Sequence, residues 1–206
     1  FGWVTNIIQQ GAASMERLAR ILATEPEIRD GAETDRLVSD IQGTIEFRRA
    51  TFTHAGAHAP VLDGIDLTVP AGTTLAVVGY TGSGKSSLVN LVPRLYDVTA
   101  GQVLIDGRDV RTIPLEVLRS RIGYVQQETF LFSDSIADNI AYGADDATEE
   151  QIRAAAEVSQ IARDIAEFPA GFDTMLGERG ITLSGGQKQR ASIARAVLRD
   201  PRILIL

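Results

Sequence analysis

Apolar residues recur at helical spacing through the first 22 positions. Phe1, Val4, Ile7, Ile8, Met15, Leu18, Ile21 and Leu22 fall near the i, i+3, i+4, i+7 pattern of one helix face. Pro26 and Gly31 break the pattern, and the polar, acidic stretch from Thr24 to Gln42 reads as a linker. From Ile45 the period changes to two. Ile45, Phe47 and Phe52 alternate with polar residues, as do Ile65, Leu67 and Val69, which predicts strands with one buried face. Pro70-Ala71-Gly72 makes a turn, and the continuous apolar run Leu75-Ala76-Val77-Val78 predicts a buried parallel strand. A glycine-rich loop follows, then a helical pattern through Leu88, Val89, Leu91 and Val92. The remaining pattern predicts a strand over 102–105, a turn at Asp106-Gly107, a helix around 115–119 and a short strand over 122–125. Residues 133–168 read as mostly helical, with Thr148 and Gln151 forming a capping-box start. A further helix opens at Ser184 and runs to about Arg199; Pro201 then closes it before the apolar run Ile203 to Leu206. A β-rich lobe, a parallel core and an inserted helical block predict an α/β fold.

Composition narrows the functional classes. The 206 residues are 44% hydrophobic and 23% charged, a globular balance. A net charge of -7 leaves no basic field to recruit nucleic acid, so no nucleic-acid partner is expected. The absence of cysteine excludes thiolate zinc sites and a thiol nucleophile, and two histidines are too few for a histidine-rich metal site. No apolar run approaches the roughly 18 residues of a membrane-spanning helix, and the opening residues lack a secretory signal pattern. The chain does not begin with Met, which leads us to expect a piece of something longer. The first helix is then either an ordinary core helix or the cytosolic end of a membrane helix.

The glycine-rich loop carries the chemistry. Gly79-Tyr80-Thr81-Gly82-Ser83-Gly84-Lys85-Ser86 satisfies G-x-x-x-x-G-K-[ST] at every fixed position. A triphosphate is dense negative charge, and glycines let several backbone N–H groups converge on its oxygens. Lys85 supplies a cation for the β- and γ-phosphates, and the Ser86 hydroxyl suits a bound Mg²⁺. The motif has its required context, an apolar run before it and a helical pattern after it.

A second motif lies about a hundred residues later. In Leu183-Ser184-Gly185-Gly186-Gln187, Ser184 and Gln187 have capping-box spacing, and the two glycines leave backbone N–H groups bare to an approaching phosphate. On its own this is also how an ordinary capped helix begins.

With both motifs in this order, the sequence resembles the ATP-binding cassette transporter family from roughly Ile45 to Leu206. Leu183 to Gln187, followed by Lys188, Gln189 and Arg190, matches that family's signature motif. The resemblance implies a P-loop NTPase core with an N-terminal antiparallel β lobe and an inserted α-helical subdomain. It implies ATP and Mg²⁺ as ligands, with Gly79, Thr81, Gly82, Ser83, Gly84, Lys85, Ser86 and Ser87 around the phosphates. It also implies a head-to-tail pair of cassettes, in which Ser184, Gly185, Gly186 and Gln187 act on nucleotide held by the partner's P-loop. Val125-Gln126-Gln127 precedes what resembles the family's Q-loop, placing its glutamine, a catalytic and Mg²⁺-side residue, at Gln127; Gln126 takes the role if the register slips by one.

Exporter-type features follow. Leu131-Phe132-Ser133 with Asp138-Asn139-Ile140 resembles the stretch that receives the membrane domain's coupling helices. Leu131 and Phe132 are therefore either exposed anchors or core of the helical block. Gly177-Glu178-Arg179-Gly180 is similar to the exporter X-loop. The implied organisation is a cytosolic tail of the last membrane helix over 1–24, a linker over 25–43 and an ATP-binding domain over 44–206. Its helical subdomain covers about 128–183, and membrane-domain contacts fall at about Gln127–Phe132 and Glu178. The implied location is the cytosolic face of the cytoplasmic membrane. The implied function is coupling of ATP binding and hydrolysis to export. A non-hydrolysing regulatory cassette and a non-transport ATPase of the same family are the alternatives.

Two departures qualify the resemblance. The adenine-stacking aromatic of the family falls by register at His54, whose imidazole offers less stacking area than a phenol ring. The family's Walker B aspartate, general-base carboxylate and switch histidine would all lie after Leu206. We therefore expect these 206 residues by themselves not to hydrolyse ATP at a useful rate.

Overall fold

The chain enters through a long helix that buries nothing. In the computed structural model, which describes residues 1–144, 146–177 and 183–206, α1 spans Gly2–Leu22 and every one of its residues is exposed. Its apolar stripe is amphipathic but packs on no core, so α1 is not a core helix of this domain. No helix among the described residues is long and apolar enough to cross a membrane.

The segment after α1 is more than a linker. Its acidic residues tie it to the domain: Arg108 pairs with Asp35 at 3.0 Å, Arg121 with Asp40 at 2.8 Å, and Leu115 N–H donates to Asp30. Val38 and Ile41 are buried in the first hydrophobic core. Polar composition concealed two anchors, Val38 between the ion-paired Asp35 and Asp40, and Ile41 directly after Asp40.

The β lobe comes next. β1 (Ile45–Phe52) pairs antiparallel with β2 (Leu62–Val69), matching Phe47 to Leu67. The loop into α2 (Lys85–Leu91) follows. β3 (Ala100–Ile105) flanks β1 on its other side, also antiparallel, and the two-residue β4 (Arg108–Asp109) completes the order β2-β1-β3-β4. The β1–β3 ladder shifts register between Arg48 and Thr51. Gly101 makes that irregularity possible: its φ is +76°, and a Cβ there would overlap the carbonyl oxygens of Arg48 and Arg49. Phe47, Phe52, Val103 and Ile105 point into a core shared with Leu91, Ile113 and Leu118, so the helix that leaves the glycine-rich loop is anchored by β-lobe side chains. Burying each such side chain contributes about 1.5–3 kcal/mol.

After α3 (Leu115–Ser120), β5 (Ile122–Tyr124) begins the parallel part of the molecule. The helical block is α4 (Ile136–Ala141), α5 (Glu149–Val158) and α6 (Ala162–Ile165), and α7 (Gly185–Leu198) packs against both α4 and α5. Its interior is a second, separate core of Ile136, Ile140, Ile152, Ala156, Ile161, Ile165, Leu183, Ala191 and Ala194. β6 (Ile203–Ile205) then returns to pair parallel with β5.

One expected strand is absent. Residues 75–78 are not assigned to any strand, and Leu75, Val77 and Val78 are 48%, 38% and 88% exposed. A strand exists only through its ladder partners. Among the described residues β5 and β6 pair with each other and leave 75–78 without one. The apolar run identified the segment but not its pairing.

Candidate functional site

The loop between residue 78 and α2 has the shape its glycines predict. Gly82 and Gly84 take φ values of +82° and +90°, a region that L side chains rarely adopt. A Cβ on Gly79 would stand 2.7 Å from Ser83 Oγ, and one on Gly84 would meet Val61 O at 3.0 Å. The backbone therefore curls tightly on itself at one glycine and against the start of β2 at the other. Lys85 folds back so that its Nζ donates to the carbonyl oxygens of Gly79 and Tyr80, both at 2.8 Å. The ammonium is held at the loop by carbonyls that a phosphate oxygen, carrying full charge, would outcompete. Thr81, Gly82, Ser83 and Ser86 are exposed, whereas Ser87 is buried.

His54 belongs to this neighbourhood. Its Nε2 and Ser87 Oγ form a 3.1 Å hydrogen bond. The imidazole also packs T-shaped on Phe52 at 4.7 Å and on Tyr96 at 5.6 Å between ring centroids. The structure thus brings His54 and Ser87 together across 33 residues, a contact that sequence reading did not foresee.

Gln126 and Gln127 are both exposed in the segment just past β5, so exposure does not separate the two candidates. The strand that delivers them is fixed to the loop's helix: the Tyr124 hydroxyl donates to Asn90 Oδ1 at 2.6 Å. Ser86 and Gln127 together offer neutral oxygen donors, a set that suits Mg²⁺ when phosphates supply the negative charge.

The signature segment forms the predicted capping box. Ser184 Oγ accepts from Gln187 N–H at 3.4 Å, while Gln187 Oε1 accepts from Ser184 N–H at 2.9 Å. Gly185 and Gly186 occupy the first turn, whose N–H groups have no intrahelical carbonyl. The Gln187 carboxamide is engaged at both ends, because its Nε2 donates to Asp164 at 3.1 Å. Asp164 also accepts from Arg190, at 3.2 and 2.7 Å, and this pairing holds its carboxyl below the usual carboxylate range. Asp164 carried no signal in the sequence, since its partners lie 23 and 26 residues away.

The helical block carries an aromatic patch at the expected docking stretch. Phe132 packs on Phe130 and Tyr142 with centroids 5.0 and 4.4 Å apart, and Phe130 is 66% exposed. Leu131 instead packs against the second core, so it is the core member of the pair. Buried Asn139 accepts from Phe132 N–H at 2.7 Å and donates to Phe132 O at 3.0 Å, fixing the patch from beneath. Gly177, at φ +106°, lies against Ser133; Glu178, Arg179 and Gly180 of the predicted X-loop lie outside the described residues.

Comparison with known proteins decides the family. The model described as ABC transporter matches residues 62–206. The chain belongs to the ABC transporter family. It is 48% identical over 203 residues to the ATP-dependent lipid A-core flippase of Desulfotalea psychrophila, an alignment covering 98% of this chain and 35% of that protein. It is also 48% identical over 201 residues to a multidrug efflux ATP-binding/permease protein of Mycobacterium tuberculosis, covering 98% of this chain and 17% of the relative. A solved bacterial Atm1-family ABC exporter with ATP bound superposes with a TM-score of 0.89 at 39% identity, covering 98% of this chain and 35% of that one. The chain thus spans about a third or less of the length of these relatives, and it is an ATP-binding domain of the exporter type.

Proposed function

We propose that this ABC domain binds ATP between two copies, the glycine-rich loop of one facing the signature helix of the other, as part of a longer exporter. The observation that carries this reading is the placement of the two motifs on different cores. α2 is anchored in the core under the β lobe, and α7 in the core of the helical block. The two motifs thus stand on separate packing units, which supports a grip in trans.

In this reading residues 79–87 cradle the phosphates, Lys85 neutralises charge that builds on them, and His54 lies toward the base. Ser86 and Gln127 hold Mg²⁺, which when bound neutralises phosphate charge and orients the nucleotide. The N–H groups of Gly185 and Gly186 meet the γ-phosphate bound by the partner, with Ser184 beside them. Closure around two nucleotides is a population shift driven by their greater affinity for the closed pair. Hydrolysis by the intact protein then releases it.

The wider organisation follows the same reading. Residues 1–24 continue the last membrane helix into the cytosol, 25–43 strap it to the domain, and 44–206 form the ATP-binding domain with its helical subdomain at about 128–183. The aromatic patch around Phe132, with Gln127 and Glu178, receives the membrane domain at the cytosolic face of the cytoplasmic membrane. Similarity to a lipid A-core flippase and a multidrug efflux protein supports an amphiphilic cargo, a lipid or a drug-like molecule.

Titration with a fluorescent ATP analogue tests the site. We expect Mg²⁺-dependent binding that Lys85→Ala weakens at least tenfold. Equal affinity in wild type and variant would refute the phosphate-site assignment.

A further inference from the structure

We propose that Asp164 is a positioning residue for the signature helix: it fixes the orientation of the Gln187 carboxamide and so presents the first turn of α7 to the partner's nucleotide. This rests on the head-to-tail reading above and deepens it.

A carboxamide has unlike ends, one accepting and one donating. The capping box needs the accepting end, because Ser184 N–H points at Gln187 Oε1, 2.9 Å away. The reversed amide would set its NH₂ group against that N–H, donor against donor. Within α7 nothing selects between the two orientations except this one bond. Asp164 adds the second constraint from α6. As a carboxylate it only accepts, and its Oδ1 takes the Gln187 Nε2 hydrogen at 3.1 Å. The oxygen end must then face Ser184.

Arg190 keeps this selector charged. It binds the other carboxylate oxygen, Oδ2, through Nε at 3.2 Å and Nη2 at 2.7 Å. A charged acceptor discriminates against a reversed amide far better than a neutral one. Both oxygens of Asp164 are thereby committed to residues three apart on one face of α7. The carboxylate pins the helix start to the helical block. It does so without touching the N–H groups of Gly185 and Gly186 that face outward in the proposed site.

Asp164→Asn is the diagnostic change. It preserves shape, but its own amide can satisfy either orientation of Gln187 and leaves Arg190 without its anion. The complete transporter in lipid vesicles is assayed for ATP turnover, and nucleotide affinity is measured separately with the fluorescent analogue. We expect Asp164→Asn to lower kcat at least tenfold while analogue affinity, set by the P-loop, stays within twofold. Asp164→Glu, which keeps the charge, should recover most of the turnover. Hydrogen exchange at Ser184 N–H should speed up at least tenfold in Asp164→Asn, with Thr148 N–H of the other capping box unchanged. If Asp164→Asn does not fold, the same split between kcat and affinity is read in Arg190→Met, which strips the carboxylate of its cation.

Wild-type turnover in Asp164→Asn, beside an inactive Lys85→Ala, overturns the positioning role alone. Loss of analogue binding in a folded Asp164→Asn overturns it as well, since the damage then reaches beyond α7. Full analogue binding by Lys85→Ala overturns the ATP-site reading and this proposal with it.

Discussion

Tyr124 and Asn90 are joined by a 2.6 Å hydrogen bond between the end of β5 and the helix that leaves the P-loop. Gln127 is three residues beyond that strand, so the segment that carries it is braced against the helix that follows the glycine-rich loop. Removing the hydroxyl leaves Asn90 Oδ1 without this donor. We expect Tyr124→Phe to lower stability by about 1 kcal/mol, read as a shift in the urea midpoint at unchanged slope. Burial also raises the Tyr124 pKa. An acidic group with a raised folded pKa contributes stability below its unfolded pKa, and loses it as pH rises toward the folded value. Ultraviolet titration of the folded protein should therefore show a late tyrosine step that is lost in Tyr124→Phe.

Arg195 links α7 to the aromatic patch around Phe132. Its Nε donates to Asn139 O at 2.7 Å and its Nη1 to Phe130 O at 3.2 Å, while the guanidinium lies 5.9 Å from the Phe132 centroid and 5.4 Å from that of Tyr142. Burial lowers its pKa, with the Tyr142 hydroxyl acting in the opposite sense. We expect Arg195→Leu to cost about 2 kcal/mol of stability through the loss of its charge-assisted hydrogen bonds. Arg195→Lys should rescue little, because an ammonium lacks the planar fork that serves two carbonyls and two rings together. Chemical denaturation of the two variants checks this; full rescue by lysine would reduce Arg195 to a point charge.

Asp109 provides a pH-dependent contribution to the β lobe. Burial pushes its carboxyl up, but hydrogen bonds from the Arg111 side chain and backbone outweigh this, with Arg111 charge and Gln102 adding to them, and the net pKa is lowered. The distances are 2.6 Å for Arg111 Nη2 to Oδ2 and 2.9 Å for Arg111 N–H to Oδ1. A carboxylate with a depressed folded pKa contributes stability above its unfolded value, near 4, and loses it as pH falls through the folded value. Wild type should thus exceed Asp109→Asn by about 1 kcal/mol at neutral pH, and the gap should close as the solution is acidified below pH 4. A gap that persists in strong acid would mean that the carboxylate charge is not its source.

Much of the local conformation was legible in the sequence. The P-loop glycines and the two capping boxes are local devices, in which backbone angle or side-chain reach is set within a few residues. Ser184–Gln187 and Thr148–Gln151 accordingly form as their spacing predicts. His54 was less legible. Register made it the candidate adenine-facing residue, but its hydrogen bond to Ser87 depends on how the loop after β1 meets α2.

What sequence by itself determined is the set of local conformations: a tightly curled glycine-rich loop, a bare-glycine helix start, and an antiparallel lobe of alternating pattern. Tertiary structure alone decided which segments became neighbours. Among the described residues it left 75–78 outside any ladder, drew Val38 and Ile41 from a polar stretch into the core, and brought Asp164 to Gln187 and Arg190. The physical reason is that a turn or cap is satisfied by atoms a few bonds away. A ladder, a core or a remote ion pair depends on where the rest of the chain has already packed.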